Sequence, residues 1–212
     1  MNANTSIIPW FGMQLRDSYA LVARLEDEDS EWQERVHALK RLGMLEPATL
    51  AQFAVAVVAR LEDTHWEVRK AALHTLGKLE PATLAQHAGA VVARLEDSNG
   101  QVRKAALETL AKLEPMTLSQ HAGVVVARLE DCPWRVRREA LVTLAKVYPA
   151  TLAQHADAIV ARLDDSNGNV RKVALSTLAK LEPTCSRIHS KRGDLTRRRG
   201  GSRCPPRRGG SR

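Results

Sequence analysis

The chain has 212 residues, 44% of them hydrophobic and only 4% aromatic, a profile of Ala/Leu/Val-rich helical arrays rather than sheets. No apolar run nears the ~18 residues of a membrane span. The start, MNANTSIIPWFGMQL, lacks the basic lead and apolar centre of a secretory signal. Three irregularly spaced cysteines (Cys132, Cys185, Cys204) argue against a disulfide framework and for a reducing, cytoplasmic compartment. The net charge of +8 belongs to one end: residues 184–212 hold ten Arg/Lys and one Asp, whereas 1–183 hold 22 basic and 23 acidic residues. The basic end is also compatible with nuclear entry.

After a lead over residues 1–10, the chain repeats itself. ARLED or a near copy starts at Ala23, Ala59, Ala93, Ala127 and Ala161, at intervals of 36, 34, 34 and 34 residues. Residues 63–96 and 97–130 agree at 25 of 34 positions. A fixed period in this range means stacked supersecondary units. The expected units are 11–46, 47–80, 81–114, 115–148 and 149–182, with 11–183 as the array.

Each unit carries two helical patterns. Residues 11–25 are expected to form a degenerate first helix. The later first helices are expected to begin near Pro47, Pro81, Pro115 and Pro149, where the missing proline N–H costs nothing. In the third unit Leu84, Ala88, Val91, Val92 and Leu95 make one apolar stripe, and Val102, Ala106, Leu110 and Leu113 make the other. Gly89 and Gly123 weaken a helix interior. Asp157, in the same register, is a good N-cap. The spacing therefore predicts a break there, giving a short helix and a longer one. Second helices are predicted near 31–45, 65–79, 99–113, 133–147 and 167–181. Ser30–Gln33, Thr64–Glu67 and Ser98–Gln101 fit capping boxes at their starts. In the fourth unit Cys132 takes the cap place, with Pro133 at the first helical position.

Five or so aliphatic side chains at ~2 kcal/mol each cannot offset the ordering of 34 residues at ~1–2 kcal/mol each, so units must bury one another. The expected fold is an all-α solenoid of about five stacked two-helix units. Beyond Thr184 the period stops. Residues 184–212 are Arg/Gly-rich and expected to be disordered. The loss of period without a polar end unit reads as a cut through a longer array, or a changed reading frame past about residue 184.

Asp97, Val102, Arg103, Ala106 and Leu110, with their copies in each unit, resemble HEAT repeats, and the broken first helix makes the units armadillo-like as well. The resemblance covers about 17–183. It implies a structural ladder between units: Asp63, Asp97, Asp131 and Asp165 with Arg69, Arg103, Arg137 and Arg171, and with Asp27 and Arg35 as candidate further members. It also implies protein binding along a concave face lined by second helices. Trp32 and Arg35, followed by Ala38 and Leu39, resemble the first repeat of TOG domains, whose turn Trp contacts tubulin.

Three tryptophans, Trp32, Trp66 and Trp134, share one register at the tip of the turn before the second helix. They read either as exposed binding anchors or as lids folded over the neighbouring unit. A cationic stripe follows the second helices: Lys70 and Lys78, Lys104 and Lys112, Arg138 and Lys146, Lys172 and Lys180. Each pair lies on one helix face. It suits an acidic peptide or phosphates, or is simply a solvated face. His87, His121 and His155 share a register with Phe53, which marks a half-buried packing position, not a metal ladder: stacked helices lie ~8–10 Å apart, whereas zinc holds its nitrogens at ~2 Å. No His-Glu dipeptide matches the di-iron hydroxylases built on HEAT repeats, and no phosphate loop, serine elbow or carboxylate pair is present. The Arg-Gly runs of 197–201 and 207–210 resemble RNA-binding segments but lack aromatics to stack bases.

The reading is therefore a non-enzymatic protein-interaction scaffold with no metal or cofactor, binding a protein partner through its second-helix face and turn tips. The alternatives are a TOG-like tubulin or microtubule module, and nucleic-acid binding through 184–212.

Overall fold

The computed structural model describes residues 8–27 and 29–181, with backbone alone for 8–15. Residues 182–212, including the Arg/Gly-rich tail, lie outside the described residues, as does most of the 1–10 lead. The described residues are helical, with no strand among them. Unit one is α1 (Ile8–Glu26) and α2 (Trp32–Leu42). The next four units each have a divided first helix: α3 (Pro47–Ala51) and α4 (Ala54–Ala59) before α5 (Trp66–Leu76), and α6 (Pro81–Gln86) and α7 (Ala88–Ala93) before α8 (Gly100–Leu110). They continue with α9 (Pro115–Gln120), α10 (Ala122–Ala127) and α11 (Trp134–Leu144), then α12 (Pro149–Gln154), α13 (Ala156–Val160) and α14 (Gly168–Leu178). A 3-10 turn follows α4, α7, α10 and α13.

Proline opens α3, α6, α9 and α12, its fixed φ suiting a first helical position. The break sits at Phe53, His87, His121 and His155, with φ between −104° and −113° and ψ between 5° and 14°. Glycine does not cause it. Unit two breaks the same way with Val55 in the register of Gly89 and Gly123, and a Cβ at either glycine would meet nothing within 4 Å. Asp157 lies in the first turn of α13, and His155 is the N-cap.

The predicted capping boxes do not form. Asp97 Oδ1 accepts the Asn99 N–H at 2.9 Å, an Asx turn that moves the helix start one residue past Ser98. Asn99 is the cap, accepting from the Gln101 N–H at 2.8 Å. Asn167 does the same for α14, and His65 Nδ1 accepts from the Glu67 N–H in α5. Glu31 and Pro133 cap without a side-chain bond, so Cys132 is an exposed turn residue and Pro133 stands one place earlier than expected. Second helices end about three residues before the predicted limits. The chain continues in i−3 turns such as Lys112 N–H to Thr109 O at 3.0 Å, which still bury Leu113.

The second helices stack in order, α2 on α5 on α8 on α11 on α14, with the divided first helices beside them. Each second helix but the last is covered by the next, so Leu39, Leu73, Leu107 and Leu141 are all fully buried. Polar ladders run through the same junctions. Arg35, Arg69, Arg103 and Arg137 each grip the Asp 28 residues later through Nε and Nη2; for Arg69 and Asp97 the bonds are 2.7 and 2.9 Å. The carboxylates are 3–4% exposed, and Nη1 of Arg69, Arg103 and Arg137 also donates to the turn Asp carbonyl of its own unit. Arg171 makes the carbonyl bond alone.

Two further ladders have no counterpart in the sequence reading. The Arg of each ARLED segment after the first crosses to the previous unit: Arg60, Arg94, Arg128 and Arg162 donate to the carbonyls of Leu25, Leu61, Leu95 and Leu129 at 2.8–2.9 Å. Thr75 and Thr109 hydroxyls lie 3.0 Å from the Leu39 and Leu73 carbonyls of the neighbouring second helix, and Thr143 lies 3.2 Å from Leu107's. The signals were present, an invariant Arg in ARLED and a Thr at a buried helix register.

Candidate partner-binding face

The second helices present one continuous face, and its middle is a groove of about 610 Å³ across α5, α8 and α11. Lys78, Lys112 and Lys146 contribute one amine per unit, and His74, Glu108 and Glu139 stand between them. Lys78, Lys112 and Lys146 share a register because each lies two residues past the end of its helix, 34 residues apart.

The eight-residue cationic stripe is not uniformly free. Lys146 and Lys180 donate to the carbonyls of Ala111 and Ala145 at 2.8 and 2.7 Å, closing the C-terminus of the neighbouring second helix. Lys104 pairs with Glu108, and Arg138 lies 3.4 Å from Glu139. Lys70 lies 5.6 Å over the Trp66 ring. Lys78, Lys112 and Lys172 are exposed and make no ion pair among the described residues. Glu139 is buried where other units have Ala71, Ala105 and Val173. Burial first, then the Glu108 charge, pushes its carboxyl up from the ordinary range, against Lys104, Arg138 and Lys146.

The tip tryptophans are half-buried against the core edge. Trp32 stacks on His65 of the next unit with ring centres 4.0 Å apart and planes 13° apart, so the residue that carries the TOG resemblance has one ring face occupied. Arg135 sits 4.8 Å over Trp134. Where the tip residue is Gly100, a Cβ would lie 3.0 Å from the ring of the next unit's Pro133. The His register lies at the first-helix break, with Phe53 buried and His87, His121 and His155 half-buried. No group of His, Cys, Asp or Glu among the described residues is arranged to hold a metal.

A family model described as HEAT repeats matches residues 19–111, a span of the ladders and stacked second helices just described. The described array has the fold of a HEAT/armadillo-like solenoid, and its residues 19–111 carry the HEAT-repeat sequence pattern. As a solenoid it is similar to a designed armadillo repeat protein in complex with peptide (KR)4, at 20% identity over 76% of this chain and 80% of that one, with a TM-score of 0.64. It is similar to an engineered protein at 20% identity, over 78% and 79% of the two chains, with a TM-score of 0.62. It is also similar to the complex of CpcE and CpcF of phycocyanin lyase from Nostoc sp. PCC7120, at 16% identity over 77% and 99%, with a TM-score of 0.60. These identities carry the fold alone. No curated protein matches the sequence. No helix of the described HEAT-like array is long and apolar enough to cross a membrane.

Proposed function

We propose that the array is a non-enzymatic scaffold that holds an extended acidic segment of a partner protein across the second-helix groove. The observation that carries this reading is the row of Lys78 and Lys112, exposed, unpaired among the described residues and one unit apart in an open groove. Stacked helices lie ~8–10 Å apart and an extended chain advances ~3.3 Å per residue. The two amines therefore suit carboxylates about three residues apart. The designed armadillo protein holds a basic peptide; the cations of the present groove favour the opposite sign. Glu108, held by Lys104, and buried Glu139 set the register by excluding a carboxylate from the middle of the groove.

The test compares the full chain with Lys78→Glu/Lys112→Glu, and with a control pair on the first helices, Val124→Lys/Val160→Lys, which are exposed. Binding of acidic peptides with carboxylates at different spacings is read by fluorescence anisotropy. The groove pair is expected to abolish binding and the control pair to preserve it. Equal binding by all three chains refutes the groove as the site.

A further inference from the structure

Among the described residues the Arg–Asp ladder is open at both ends, and the two ends are complementary. Inside the array a turn Asp has two roles. Its Oδ1 takes the N–H two residues on, as Asp63 does from His65 and Asp165 from Asn167, and its carboxylate holds the Arg fork of the preceding unit.

Asp27 begins this series. Its Oδ1 takes the Asp29 N–H at 3.1 Å, the same turn. It lines a surface recess with Arg35, Arg60 and Asp63, as Asp63 lines the next with Arg69, Arg94 and Asp97. Asp27 is exposed, and no Arg grips it among the described residues.

Arg171 ends the series. Its Nη1 donates to the carbonyls of Asp165 and Ser166 at 2.8 and 3.2 Å, as Arg69 does to Asp63 and Thr64. Its remaining fork edge meets no carboxylate among the described residues, and Arg171 is exposed. Beside it Leu175 is 64% exposed, where Leu39, Leu73, Leu107 and Leu141 are 0%.

We propose that this chain associates with itself head to tail. The α14 end of one copy docks on the α1–α2 end of the next, with the Arg171 fork closing on the Asp27 carboxylate as one more rung. Charge selects this arrangement over tail to tail. The turn at the head edge exposes Glu26, Asp27, Asp29 and Glu31, with the cation Arg41 farther along α2, and the tail edge exposes Arg171, Lys172 and Lys180. Two tails would set like charges against each other. Arg41, exposed in the register of Thr75, supplies a donor toward the Leu175 carbonyl, as Thr75 does toward Leu39's. His37 falls in the register where Glu139 is already accommodated between α8 and α14. The contact is heterologous, so it propagates into chains or closes into rings.

Sedimentation velocity of the full chain over a concentration series tests it. The average mass is expected to rise with concentration and fall with added salt. Arg171→Glu alone and Asp27→Arg alone should each weaken association by roughly tenfold or more. An equimolar mixture of the two should restore it, because each reversed tail meets a reversed head. Leu175→Glu, at a site exposed in the single chain, should abolish association without unfolding it. The proposal is overturned by a wild-type chain that stays monomeric, by Leu175→Glu associating normally, or by a mixture of folded variants that stays monomeric.

Discussion

Loss of Arg103 should cost more than loss of Arg69, although the two bridges look alike. Arg103 reaches Asp131 at 2.6 and 2.7 Å, and Arg69 reaches Asp97 at 2.7 and 2.9 Å. Both carboxylates are 4% exposed. They differ in a second donor: Asp97 also holds the Asn99 N–H at 2.9 Å, but the residue two beyond Asp131 is Pro133, which has no N–H. Removing one partner of a buried pair costs ~3–5 kcal/mol, and a hydrogen bond to a charged group contributes ~1.5–3 kcal/mol. Arg69→Met should fall near the lower limit, about 3 kcal/mol, and Arg103→Met near the upper, about 5 kcal/mol. Urea unfolding followed by circular dichroism measures both, with hydrogen exchange in α8 and α11 as the local readout because repeat arrays can lose two-state behaviour. Pro133→Asn restores the missing N–H. It should recover ~1.5–3 kcal/mol more in the Arg103→Met background than in the wild type. Equal losses for the two Arg variants, or an equal gain from Pro133→Asn in both backgrounds, would refute the argument.

Acid should loosen the array through the same ladder. Burial pushes the Asp97 carboxyl up, but the Arg69 fork, the Asn99 N–H and the Arg69 and Arg94 charges outweigh it and hold it below its ordinary value; for Asp165 the Arg137 bond dominates in the same direction. A depressed folded pKa gives stability that is present above the unfolded value of ~4 and lost as pH falls through the folded one. Melting temperature should therefore drop below about pH 4, and less steeply in Arg69→Met. Glu139 has the opposite sign: its raised carboxyl costs stability as pH rises through the folded value, so Glu139→Gln should raise the melting temperature at neutral pH and leave it unchanged in acid. Gly89→Ala and Gly123→Ala should each add ~0.4–1 kcal/mol, since the new methyl meets nothing and the unfolded chain loses freedom; a loss in urea unfolding would contradict the open surface found there.

The period, the two helices per unit and the break were legible because each is written in repeated residues: ARLED, the prolines and the apolar stripes. The helices start one residue later than the sequence suggests because Asp97 and Ser98 can both bond nearby N–H groups, and only the folded turn shows that Asp97 does. Gly89, Gly123 and Asp157 mark the break in the sequence, but Val55 in the same register shows that the backbone turns there without glycine. Leu107 lies off the predicted stripe yet is fully buried, since a one-sided stripe does not anticipate an interior helix covered by two neighbours. The cationic residues were all visible, but which are free was not. Lys146 and Lys112 occupy equivalent places in near-identical repeats, and only Lys146 closes a neighbouring helix. That distinction depends on how adjacent units meet.

Reductive methylation of the full chain, alone and bound to an acidic partner segment, tests most directly whether recognition occurs on the shared second-helix surface. Lys78 and Lys112 should react freely in the unbound chain and be protected together on binding. Unchanged reactivity of both, with protection confined to Lys191 in the basic tail, would contradict it.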